Sequence, residues 1–404
     1  MKKTFLRAAF CLSLLASATA VVVSCDNNDD DTTETPSQTI DPNKFEGTIA
    51  KGNTVTLDAT KTYKLTGKLL VEGGATLIIP AGTKIVANEG ANYLIVDRNA
   101  KIFINGTASA PVVFEGALNS PGSWGGIVVL GNAPSNRSAA GTSTSELGEL
   151  TYGGTAKDDN SGSIQYVIIK NSGFKYNPSK EFNGLSLFGV GSGTKISYVS
   201  VVDGADDGVE FFGGNVNADH ILVLGVGDDS VDWTEGWQGT ADYIYAARKK
   251  EYFNAAEPGN RGIEADTQDT DPNTTFGNGA SNPTIKNATF LGNVKGTESQ
   301  AMKIRAGSQG KFDNIVLSNF STGIDFETDR TLAWFQAGSY VKNVRFESIG
   351  TNIKGKNTAG TSVDLTAAVT INANATGAGN GSSLPDWAKG WSGVSSFTAA
   401  DAGN

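Results

Sequence analysis

Short runs of alternating apolar and polar residues, separated by Gly-, Asn- and Asp-rich bends, recur from about Phe45 to Lys354. Leu70–Ile79 (LVEGGATLII) and Ile95–Ile104 (IVDRNAKIFI) share one layout of strand, bend and strand. Val71/Val96, Ala75/Ala100 and Ile79/Ile104 each stand 25 residues apart. That spacing fits one coil of a solenoid and is too short for a strand–helix–strand unit. Further on, an apolar–any–Tyr/His/Asn–apolar–any–apolar template recurs at Tyr166, Tyr198, His220, Tyr243, Asn287, Asn314 and Asn343. A second strand follows most of these. Its period of two points Leu185, Val209, Val231, Ile263, Met302 and Ile324 inward, joined two residues on by Leu187, Phe211, Trp233, Ala265, Ile304 and Phe326. Inward columns with one residue per coil are what an all-β parallel solenoid needs for its core.

This pattern resembles a right-handed parallel β-helix of the pectin lyase-like superfamily, over roughly Phe45 to Lys354. The handedness follows from the resemblance and from the crossover rule for parallel strands. Gly122–Gly126 (GSWGG) with the following IVVLG resembles β-helix lipoproteins, and DDGVEFFGGNVNA with DDSVDWTEGW resembles a bacterial lipoprotein group. Unequal coil spacing, 22 residues from Tyr198 to His220 and 44 from Tyr243 to Asn287, implies inserted loops. The insertion from Ala246 to Pro283 is the expected wall of a binding site, since long loops on a rigid scaffold tend to carry function. Residues 355–404 read as a terminal coil and cap, because a solenoid must cover its open end. Trp387 and Trp391, four apart in LPDWAKGW, offer a sugar-stacking platform as the alternative.

At the N-terminus, Lys2, Lys3 and Arg7 precede an apolar run from Ala8 to Val23, the pattern of a secretory signal peptide. Val22-Val23-Ser24-Cys25 looks like a bacterial lipobox, which assigns residues 1–24 to a lipoprotein signal and Cys25 to lipidation. Ordinary cleavage near Ala18–Ala20 is the alternative. Residues 25–44 form an acidic, Thr/Pro/Ser-rich tether, with too few apolar groups to bury a core. Its acidic run after Cys25 resembles the export tag of surface lipoproteins. The expected location is therefore the outer membrane, lipid-anchored and surface-exposed, where supply of a ligand to an outer-membrane transporter is one role.

Composition narrows the chemistry. The 404 residues include 50 glycines, two cysteines and one histidine, with a formal charge of −10. Those counts leave no Cys/His zinc site and no disulfide framework. The acidity argues against nucleic acid as a partner.

Outward columns carry the remaining signal. One runs Ser186, Glu210, Asp232, Glu264, Lys303, Asp325, and the next Phe188, Phe212, Thr234, Asp266, Arg305, Glu327. Lys303 is thus expected between Glu264 and Asp325, and Arg305 between Asp266 and Glu327, as self-neutralising ladders. Glu210 over Asp232, with Asp206-Asp207 over Asp228-Asp229, has no such balance. Charges ~4.8 Å apart repel by about 3 kcal/mol at an effective dielectric near 20. A bound cation at Asp206, Asp207, Asp228 and Asp229, solvated acidic bends, and catalytic carboxylates all answer that repulsion. Calcium is the cation whose oxygen preference and loose geometry suit the set. His220 falls in the Tyr/Asn column and reads as a ladder member.

Three functions stay open. The leading one is a surface lipoprotein that binds an extracellular ligand, a glycan with calcium, through Phe188, Phe212, Glu210 and Asp232. The second is a polysaccharide lyase or glycoside hydrolase with Glu210, Asp232, Lys303 and Arg305 as candidate catalytic residues. The third is a structural or adhesion protein. The balance leans away from an enzyme: a polygalacturonase resemblance would require Gly-His-Gly, which is missing, and residues 303–305 read Lys-Ile-Arg.

Overall fold

The computed structural model describes residues 38–148, 150–178, 180–250, 261–271, 275–293 and 299–404. The signal segment, Cys25 and the tether up to residue 37 lie outside the described residues, as do 251–260 and 272–274 of the long insertion.

The strands wind into a parallel β-helix, with 24 of them joined in one sheet among the described residues. Each coil has three faces. The first is built by Tyr93–Val96, Ile127–Leu130, Leu185–Phe188, Val209–Phe212, Val231–Thr234, Ile263–Ala265, Gln300–Ile304 and Thr322–Glu327. Faces two and three are halves of single bent strands in the later coils, such as Lys195–Val202 and Asn217–Leu224. The bend falls on the template residue: Tyr166, Tyr198, His220, Tyr243, Asn287, Asn314 and Asn343 all have φ between 49° and 58°. A left-handed residue turns the strand without a loop, and Asn tolerates it best. Tyr and His instead gain ring contacts: Tyr166, Tyr198, His220 and Tyr243 stack in series at 4.2, 4.2 and 4.9 Å.

Register follows the repeat. Val71 pairs with Val96 and Ile79 with Ile104. The expected inward columns are buried at 0–1% exposure and form one continuous core. Close approach between coils demands small residues at the entry to the first face. A Cβ on Gly208 would lie 2.5 Å from the Ser230 carbonyl oxygen and 2.7 Å from a Val223 methyl.

The C-terminal stretch splits in two. Helix Asp329–Gln336 buries Leu332 and Phe335 beside Leu365, Ala368 and Val369, against the last coils. From Asn372 onward the chain instead runs back along face three. The Tyr245 hydroxyl donates to the Ser382 carbonyl at 3.1 Å, and Ser200 Oγ to that of Ser392 at 3.3 Å. This strap covers an outward apolar stripe of Val202, Leu222, Leu224, Tyr245 and Leu291 with Leu384, Ala388 and Phe397. Trp391 sets its edge against Tyr166 and Tyr198, and Trp387 against His220. The two indoles are packed into the strap and offer no open sugar platform.

Candidate functional site

The outward column of the first face forms as the repeat requires: Ser186, Glu210, Asp232, Glu264, Lys303 and Asp325 are successive register partners. Above its middle lies a cleft of about 630 Å³, lined by Glu210, Asp232, Thr234, Glu264, Asp266 and Arg305 from the coils. A neighbouring hollow of about 350 Å³ extends over the bends to Asp206, Asp207 and Asp228. Glu146, Lys180, Glu210 and Asp232 border both.

Stacking of the two acidic bends is real. Asp207 Oδ1 accepts the Asp229 backbone N–H at 2.8 Å. Carboxylate oxygens of Asp206, Asp207 and Asp228 lie within 4.8 Å of one another, as do those of Asp207, Glu210 and Asp232, and of Asp229, Asp232 and Glu264. The third group has its own counter-charge, since Arg261 Nη1 sits 3.2 Å from Asp229 and 3.1 Å from Glu264. Asp229 is thus the expected metal ligand least available to a metal. Asp207, Glu210 and Asp232 have no ion pair to a cation among the described residues. Glu210 accepts a hydrogen bond from Asn183 Nδ2 at 2.6 Å, and Asp232 Oδ1 has no hydrogen-bond partner among the described residues.

Burial, then mutual repulsion, pushes the carboxyls of Asp206, Asp207, Glu210, Asp229 and Asp232 well above the ordinary range. Desolvation also raises Glu146 to about 7, against the pull of Lys180. It raises Asp266 to about 6 despite Arg305. A set of this kind favours a bound proton or another cation over bare negative charge.

Three sequence expectations need correction. Phe188 and Phe212 are not exposed: they are 2% and 3% accessible, stack at 3.9 Å, and lie under Tyr152. They floor the cleft as an apolar base. Lys303 keeps its register but pairs with Asp325 at 3.3 Å and Glu327 at 2.7 Å; Glu264 is not its partner. Arg305 pairs with Asp266 at 3.0 Å and Glu264 at 3.1 Å, while Glu327 takes Lys303 and Lys356. Long side chains lean along the ladder, so backbone register alone does not fix their partners. Only Arg305 of the two basic candidates lines the cleft.

One wall escaped the sequence. The segment between Leu130 and Gly162 folds over the first face and carries hairpin Thr142–Thr144/Thr151–Gly153. It supplies Arg137, Glu146 and Tyr152 to the cleft, and hairpin Lys175–Asn177/Lys180–Glu181 supplies Lys180. Glu235, at φ 56° and 5% exposed, ties this wall down. Its carboxylate accepts from Ser135 Oγ at 2.7 Å, Arg137 Nε at 2.8 Å and the Tyr152 hydroxyl. Arg137 then forks onto Asp269 at 2.7 and 3.2 Å. The absence of the strand template between residues 131 and 161 was the available signal. Within the 246–283 stretch, Glu264 and Asp266 reach the cleft from the first-face strand Ile263–Ala265 and its end, and Asp269 from just beyond it. His220 is not among the cleft-lining residues; its Nδ1 meets Asp219 at 2.6 Å within the aromatic stack.

Residues 47–392 match the family described as a pectate-lyase-like β-helix domain. No curated protein matches the chain. Among solved structures, the enzymatically active domain of tailspike protein 2 from bacteriophage CBA120 aligns at 13% identity with a TM-score of 0.17. That alignment covers 74% of this chain and spans 39% of the tailspike chain.

Proposed function

We propose that this chain, which belongs to the pectate-lyase-like β-helix family, binds an extracellular glycan along the acidic cleft of its first face and holds calcium beside it. The observation that carries the calcium reading is the Asp207–Glu210–Asp232 group: three carboxylates within 4.8 Å with, among the described residues, no cationic side chain paired to them. Calcium takes six to eight oxygens in irregular geometry. Asp206, Asp207, Glu210, Asp228 and Asp232 would hold it, with the remaining positions open to ligand hydroxyls or water. When bound, the ion supplies charge neutralisation and a coordination point for sugar oxygens. The family's name links the fold to polysaccharide substrates, and the cleft volume suits a few sugar units. In this reading Cys25 is lipidated and the tether displays the β-helix outside the outer membrane, in reach of a transporter.

The test has two parts. Calcium should raise the melting temperature of the mature protein, reversibly with EDTA. A panel of neutral and uronate polysaccharides should then include at least one that binds, with loss on Glu210→Gln. No calcium effect removes the metal, and no binding across the panel removes the glycan.

A second reading rests on Glu146 and Asp266, two carboxyls raised to about 7 and about 6 in one cavity. Glycoside hydrolysis needs a protonated acid facing an ionised partner, and unequal environments produce that division. New reducing ends from the same panel would support it, and absorbance growth at 235 nm would point to a lyase.

A further inference from the structure

We infer that the main cleft selects glycans bearing protonated amines, namely sugars with free amino groups, over neutral or uronate ones. The inference rests on the glycan reading above and assigns its substrate class. Its first support is an orphaned polar group. Thr234 is 8% exposed, lines the cleft, and its hydroxyl has no hydrogen-bond partner among the described residues. Two residues earlier on the same strand, Asp232 Oδ1 is buried and equally unpartnered. Side chains two apart on a strand point to the same face. A buried polar atom left without a partner costs roughly as much as a lost hydrogen bond, so its retention asks for a ligand donor. An ammonium offers three donors and no acceptor, which matches an acceptor pair of carboxylate and hydroxyl.

The second support is how the cleft's cations are spent. Arg137 is shared by Glu235 and Asp269, and Arg305 by Asp266 and Glu264. Lys180 Nζ donates to the Glu146 carbonyl oxygen at 2.6 Å. To reach either arginine, a uronate carboxylate would have to displace a chain carboxylate, which leaves it Lys180 at the rim. It would also enter a cavity whose remaining lining includes Glu146, Glu210 and Asp232. A protonated amine meets that field favourably and breaks no ion pair within the chain.

The experiment is calorimetric titration of the mature protein in EDTA, so that calcium does not compete for Asp232. The probes are a glucosamine hexamer, its fully N-acetylated counterpart, an oligogalacturonate of equal length, and hexalysine. The glucosamine hexamer should bind at least ~10-fold tighter than the other three and weaken as salt rises from 50 to 300 mM, on the order expected of a charge-assisted contact. Thr234→Val and Asp232→Asn should each reduce that affinity ~10-fold. The valine variant keeps shape and charge, so it serves even where the asparagine perturbs folding. Equal or tighter binding of the acetylated or uronate hexamer overturns the amine selectivity while leaving glycan binding intact. Equal binding of hexalysine overturns the sugar as the cationic ligand. Failure of every glycan, here and in the wider panel, sinks the parent reading itself.

Discussion

Asp232→Asn should stabilise the metal-free protein at neutral pH, against the usual expectation for a buried substitution. Asp232 oxygens lie within 4.8 Å of those of Asp207 and Glu210, and of Asp229 and Glu264. At that separation one ionised pair repels by about 3.5 kcal/mol at an effective dielectric near 20. The native carboxyl is raised, first by burial and then by Glu264 and Asp229. The folded state therefore holds a proton that the unfolded chain, near its ordinary value of ~3.9, has released. Native proton uptake exceeds unfolded uptake throughout that window, so stability falls as pH rises through it. The loss is about 1.4 kcal/mol per pH unit for one group. Asparagine cannot ionise and escapes the loss. Between pH 5.5 and 7.5 the variant should gain on the wild type by at most about 3 kcal/mol, the ceiling that one group's slope sets over two pH units. For a unit spanning Thr35–Asn404, with an unfolding entropy of ~2 cal/mol/K per residue, that ceiling is a relative rise of roughly 4 °C in Tm. Scanning calorimetry of both proteins in EDTA at the two pH values measures it. A variant that melts at or below the wild type at pH 7.5, by the same margin as at pH 5.5, would refute the electrostatic account.

Truncation after Ile371 should uncover Leu222, Leu224, Tyr245 and Leu291, forfeiting at least ~5 kcal/mol of apolar burial. Hydrophobic-dye binding and a loss of monomer on size exclusion would report it, and an unchanged melt would show that the strap is dispensable. Glu235→Ala removes the acceptor shared by Ser135, Arg137 and Tyr152. A cost of about 3–5 kcal/mol is expected from chemical denaturation, with loss of ligand binding as the wall loosens. His220→Asn should be within ~1 kcal/mol of wild type and leave ligand binding untouched, whereas His220→Val, β-branched at φ 55°, should cost ~1–2 kcal/mol more. A large drop in binding with the asparagine would return His220 to the functional residues. Gly208→Ala should cost ~1–3 kcal/mol through the clash with Ser230 and Val223, and a neutral result would show that the coils can separate there.

The solenoid was legible in the amino-acid order because each repeating residue meets its equivalent one coil away. Period-two alternation fixed the inward columns, and the 22-residue repeat from Glu210 to Asp232 fixed which carboxylates stack. The left-handed bend residues were visible as a Tyr/His/Asn column for the same reason. What covers the outward surface had no such encoding. Arg137 reaches Asp269 across 132 residues and Ser200 reaches Ser392 across 192, contacts that no repeat announces. Phe188 and Phe212 therefore read as exposed until the 131–161 segment was seen to lie on them. Residues 372–404 read as part of an end cap until the apolar stripe on face three showed where they had to go. Lys303 marks the limit on the periodic part as well: register set its backbone, but the lean of a long side chain chose Asp325 and Glu327 over Glu264. Sequence periodicity determined the scaffold and the acidic stack, and only non-periodic tertiary contacts turned that stack into a walled cleft.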